Sequence, residues 1–230
     1  MKMQNKNNEE ICRNIVYAVS MTDTEKRIRA LQKRMLAARR SSRPHRIVFL
    51  DFDGVVNVPY EYGTEEFDAA MAEGVYDFFR PEITVRLDRL IHDYDLRVVI
   101  SSSWRYSGME FCCNSLRNAG FSEDVVIEGM TALREDYPPR WEEILIYLEE
   151  HPDVSEFLIL DDLPMRVLSP WAVQTVFEQG YSEECDRKAR EILGRQIADV
   201  RKDFRLFWVA AAGLCILLIL WVLSNIGGLK

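Results

Sequence analysis

The chain is short of the residues that staple folds or hold soft metals. Its five cysteines (Cys12, Cys112, Cys113, Cys185, Cys215) are an odd number without metal-ligand spacing, and adjacent Cys112 and Cys113 are poorly placed to bridge each other. Neither a disulfide framework nor a Cys/His zinc cluster is expected, and only three scattered histidines (His45, His92, His151) are present. Eleven glycines and eight prolines in 230 residues, with 48% hydrophobic residues, exclude collagen-like and low-complexity chains. No internal repeat is visible. The first residues lack the apolar stretch of a signal peptide, the longest run being Ile15–Val19, so a reducing, cytosolic setting is expected and any targeting must lie elsewhere.

Acids are almost missing from one segment and bases are in the minority over the rest. From Thr24 to Arg46 nine basic residues stand against one acid, Glu25, whereas Ile47–Leu229 carries 16 basic and 33 acidic residues. A formal net charge of -8 therefore hides a basic arm on an acidic body. Such a body repels a phosphate backbone, which disfavours a main domain that grips long nucleic acid. The arm, residues 24–46, is expected to form a solvated helix face or to contact anionic lipid or nucleic acid.

Charge of either sign is absent from Leu206 through Leu229, and Leu206–Leu223 is apolar throughout. A helix over residues 206–226 would be about 31 Å long, close to the thickness of a hydrocarbon core. Trp208 and Trp221 sit toward its ends, and Arg201, Lys202 and Arg205 flank one side against Lys230 on the other. The pattern predicts a single-pass transmembrane helix with the preceding domain facing the cytoplasm.

Between arm and apolar segment, helical and strand patterns alternate. Helices are expected over Glu25–Arg40, from Pro81 to about Tyr94, over Met109–Asn118 and Trp141–Leu148, and from Ser182 to about Arg205. The apolar runs Ile47–Leu50, Leu96–Ile100, Val125–Ile127, Phe157–Leu160 and Val173–Val176 read as strands, the stronger ones of the buried parallel kind. This alternation predicts an α/β fold, a parallel sheet with helices on both faces. The expected organisation is an arm and linker (1–45), one domain (46–181), a charged helix (182–205), the apolar helix (206–226) and a short tail (227–230).

Three strands end in polar clusters: Asp51-Phe52-Asp53-Gly54, Ser101-Ser102-Ser103 and Asp161-Asp162. The carboxyl ends of parallel strands line one crevice, so the four carboxylates are expected to converge. They would resist ionisation together unless a cation lay between them, and oxygen ligands suit Mg²⁺. A calcium loop would place its glycine at the sixth position, not the fourth.

The stretch IVFLDFDGVVN (Ile47–Asn57) resembles motif I of the haloacid dehalogenase-like (HAD) phosphohydrolases. VVISSSWR (Val98–Arg105), Thr131, Arg140-x-x-Glu143-Ile144 and LILDD (Leu158–Asp162) are similar in order and spacing to the HAD branch associated with Swiss-army-knife RNA repair proteins. The resemblance covers roughly Arg46–Gly180 and implies a HAD-like Rossmannoid sheet. It implies that Asp51 is the nucleophile and a Mg²⁺ ligand, and that Asp53 is the general acid/base with its backbone carbonyl a further ligand. Ser101, or Ser102, would contact the phosphoryl group, Arg140, or Arg134, would neutralise it, and Asp161 and Asp162 would hold the metal. Arg105 would either contact substrate phosphate or belong with Trp104 to a packing element.

Only 43 residues (Val58–Ile100) separate the first two motifs, so a minimal cap is expected. The aromatics Tyr60, Tyr62, Phe67, Tyr76, Phe78 and Phe79 there form either a small flap or local packing. The reading that follows is a membrane-anchored, Mg²⁺-dependent phosphatase acting on a nucleotide, a nucleic-acid end or a phosphoprotein. A nucleic-acid end-processing phosphatase and a non-catalytic membrane signalling protein are the alternatives.

Overall fold

The computed structural model describes residues 23–39, 44–72 and 78–198. The chain divides into two units, Met1–Leu193 and Gly194–Lys230; of the second, residues 194–198 are described and are helical. The apolar segment 206–226 lies outside the described residues. Among the described residues no helix is long and apolar enough to cross a membrane.

The first unit is built on a five-stranded, all-parallel sheet in the order β3-β2-β1-β4-β5. Its strands are β1 (His45–Leu50), β2 (Arg97–Ile100), β3 (Ile127–Met130), β4 (Val154–Asp161) and β5 (Ala172–Gln174). The helices are α1 (residues 23–38), α2 (Glu65–Ala72), α3 (Pro81–Tyr94), α4 (Met109–Asn118), α5 (Arg140–Glu150) and α6, which starts at residue 183. Pro81 opens α3, where a missing N–H costs nothing.

Side chains alternate across the sheet, and each face has its own core. Val48, Leu50, Val98, Ile100, Leu158 and Leu160 pack with α3, α4 and α6. Ile47, Phe49, Val99, Phe157 and Ile159 pack with α5 and, through Leu31 and Met35, with α1. Covered on both faces, β1 and β4 bury every residue from Ile47 and Val154 onward. Even Glu156 is hidden, because it pairs with Arg46 on the neighbouring strand.

The basic arm therefore belongs partly to the fold. Arg27 forks onto Glu149 with two bonds of 2.8 Å, and Arg34 donates to the last carbonyls of α5, Leu148 (2.7 Å) and Glu149 (3.1 Å). Lys26, Arg29 and Lys33 stay exposed.

Two strands are displaced from the sequence expectation. Val125–Ile127 is apolar, but Val125 closes a turn on Ser122 and the strand is Ile127–Met130. As an edge strand it carries Glu128 toward His45 (2.8 Å) and Arg97 (3.2 Å), which breaks its apolar pattern. β5 ends at Gln174 instead of reaching Val176, because Thr175 N–H already caps the last carbonyl of β4, Asp161. Helix α2 was not foreseen; it buries no residue. It is the only helix described between Asn57 and Arg80. Of the described aromatics there, Tyr60 packs on Phe78 and Tyr62 on Phe67, whereas Phe79 packs on Trp104; Tyr76 lies outside the described residues.

Candidate active site

The order β3-β2-β1-β4-β5 reverses direction between β1 and β4, and the crevice of such a sheet lies at its carboxyl ends. There the ladder continues one residue past the strands. Asp51 N–H donates to Leu160, Ser101 to Leu50 and Thr131 to Ile100, each at 2.9–3.0 Å. Leu50, Ile100 and Leu160 face α3 and α4, so Asp51, Ser101 and Asp161, one residue later, face α5. Arg140 begins α5 on that side.

Asp51, Asp161 and Asp162 come together, offering one ligand atom each with all three atoms within 4.8 Å of one another. Arg140 Nη1 lies 3.0 Å from Asp161 Oδ2 and 3.4 Å from Asp51 Oδ1. Burial, and then the charge of Asp51, push the Asp161 carboxyl up to about 7 despite the Arg140 guanidinium. The same two causes, burial first, raise Asp162. Three buried or half-buried carboxylates, two of them pushed up by burial and by the charge of the third, with oxygen as the only donor atom, fit a hard divalent cation.

Asp53 departs from the expected set of four. Its side chain is not among the gathered carboxylates; Asn57 Nδ2 donates to one oxygen (2.7 Å) and Trp104 Nε1 to the other (2.8 Å). Its backbone carbonyl is the part left for the ligand role that the resemblance implies. The turn beyond it needs glycine. Gly54 has φ +71°, and a Cβ there would stand 2.7 Å from the Phe177 ring and 3.1 Å from Asp162 Cβ.

The structure places the two serines, and the two arginines, differently. Ser102 Oγ caps the short 3₁₀ helix Ser103–Ser107 by accepting from Trp104 N–H. Ser101 Oγ and Thr131 Oγ1 are buried and have no hydrogen-bond partner among the described residues, as hydroxyls kept for a ligand would be. Arg134 is exposed and holds Asp136 (3.0 Å), whereas Arg140 reaches the carboxylates.

Arg105 is 3% exposed and donates to the Ser101 and Ser102 carbonyls (3.1 and 2.9 Å) and to Glu143 (2.5 Å). It is thus an internal tie, and phosphate contact by Arg105 is not what the geometry offers. Trp104 packs on Phe52 and Phe79 while its indole N–H orients Asp53. Asn57, Trp104 and Glu143 are the site residues whose parts sequence reasoning missed. All three lie inside the motifs, but no spacing rule links Asn57 or the indole to Asp53, or Glu143 to Arg105.

A family model described as the HAD domain in Swiss Army Knife RNA repair proteins matches residues 47–185. The chain belongs to that family, and membership supports a hydrolase of the phosphatase type with a phosphorylated substrate. No curated protein and no solved structure matches the chain.

Proposed function

We propose that this family member is a Mg²⁺-dependent phosphomonoesterase working through an aspartyl phosphate on Asp51. The observation that carries the reading is the meeting of Asp51, Asp161 and Asp162 under Arg140 at the carboxyl edge of the sheet. Mg²⁺ held by these carboxylates and the Asp53 carbonyl would neutralise them and polarise the phosphoryl group.

The chain's own residues supply the rest. A carboxylate oxygen of Asp51 attacks phosphorus, and the bond to the leaving oxygen breaks as Asp53 gives that oxygen a proton. Water then hydrolyses the acyl phosphate, with Asp53 taking the proton back. Asn57 and Trp104 hold Asp53 in orientation for both transfers. Ser101 Oγ donates to a phosphoryl oxygen, and Arg140 offsets the charge that builds there.

Phosphate release from p-nitrophenyl phosphate and from phosphate-ended RNA by the full chain tests the reading. Release with Mg²⁺ that stops with EDTA is expected; release unaffected by EDTA would sink it. The family description favours an RNA end as the substrate. The acidic body and the arginines already engaged by α5 count against the arm as its guide.

We further propose that residues 206–226 anchor the enzyme, with the phosphatase domain on the cytoplasmic side. Support comes from the length of that segment and its flanking charges. The full chain should stay with vesicles through an alkaline carbonate wash, and its quantitative release would refute the anchor.

A further inference from the structure

We propose that Arg105 and Glu143 form a buried brace that positions Arg140; the proposal rests on the phosphatase reading above. Arg105 is 3% exposed and Glu143 8% exposed. Burial pushes the Glu143 carboxyl up although two guanidiniums face it. Taking both charges out of water is costly, and an apolar pair of similar volume commonly holds a fold at least as well. Stability alone does not account for an ion pair here.

Geometry does. Arg105 Nη1 is fastened to the carbonyls of Ser101 and Ser102 at the end of β2, and its Nη2 holds Glu143 Oε1 at 2.5 Å. Glu143 lies three residues into α5 from Arg140, on the same helix face. Its other oxygen, Oε2, stands 3.6 Å from Arg140 Nε and has no hydrogen-bond partner among the described residues. Arg140 Nη1 in turn reaches Asp161 and Asp51. One chain of polar contacts thus runs from the serine strand through α5 to the carboxylates. A free arginine is rich in rotamers; the brace holds its Nε side while Nη1 reaches the carboxylates. Glu143 and Arg105 are positioning residues, with no contact to substrate of their own.

The test is the double variant Arg105→Met/Glu143→Met in the full chain, beside Glu143→Gln. The double variant should melt within about 3 °C of wild type or above it. Its kcat for p-nitrophenyl phosphate should fall about 30- to 100-fold, with KM changed less than about threefold. Glu143→Gln, which keeps an acceptor for Arg105, should lose less. The Nε–Hε NMR signal of Arg140, identified by its disappearance in Arg140→Lys, should move in both variants. An unmoved signal overturns the brace whatever the turnover, and wild-type kcat in the double variant does the same. A wild-type chain that releases no phosphate sinks the phosphatase reading, while the Arg140 signal still decides the brace. If the double variant fails to fold, Glu143→Gln carries both readouts.

Discussion

Asp51→Asn protein should fold and yet release phosphate at least about 10³-fold more slowly than wild type. The amide is nearly isosteric, and its oxygen can still accept from Phe52 N–H, as Asp51 Oδ1 does at 2.8 Å. It carries no charge, however, and an amide oxygen is a poor nucleophile toward phosphorus. Asp51 is also the strongest charged neighbour raising Asp161 and Asp162, so its removal relieves repulsion that the fold now carries. Against this, the variant gives up the ion pair between Asp51 Oδ1 and Arg140 (3.4 Å), where a neutral amide oxygen now stands. The two effects oppose, and the melting midpoint should shift by only a few degrees. Trapping gives the sharper check: hydroxylamine should capture an acyl phosphate from wild-type protein during turnover and none from the variant. Undiminished release by Asp51→Asn would rule out Asp51 as nucleophile.

The readiness with which this site could be read from the chain has a physical cause. Buried parallel strands must be apolar on both faces, so Ile47–Leu50 and Phe157–Leu160 announce themselves, and the first polar residue after each must lie at the carboxyl edge. Asp51, Ser101 and Asp161 were legible for that reason alone. Asp53 was not fully so, because the turn at Gly54 ends the strand alternation that would have aimed it. Its side chain goes to Trp104 and Asn57, partners set by loop geometry without any periodicity. The same limit hid the Arg105–Glu143 pair. Those residues lie 38 apart in the chain, and only the packing of α5 over β2 brings them together. β3 failed differently: an edge strand can spend alternate positions on surface ion pairs, so Glu128 and Gly129 interrupted the apolar signature.

Asp161→Asn should separate stability from function along the pH axis. With the folded-state pKa pushed up to about 7, well above the ordinary carboxylate value, the folded chain binds more protons than the unfolded one between about pH 4 and pH 7. The linkage slope is then negative. In cation-free protein, stability from this group is fully present below that window and is lost as pH rises through it. Asp161→Asn, which never ionises, should therefore gain roughly 1–2 kcal/mol over wild type at pH 7.5 in EDTA, or about 3–6 °C in midpoint. Near pH 4 the difference should vanish. A divalent cation reverses the ranking, because it binds only the ionised group and must displace the proton. Wild-type affinity for Mg²⁺ should climb with pH by up to about tenfold per unit below 7 and level off above, whereas the variant should show neither the climb nor a cation-induced rise in midpoint. Thermal melts at pH 4, 6 and 7.5, with EDTA and with Mg²⁺, read both halves. A variant no more stable than wild type at pH 7.5 in EDTA would show that Arg140, 3.0 Å away, already compensates the Asp161 charge, and that the carboxyl is ionised throughout.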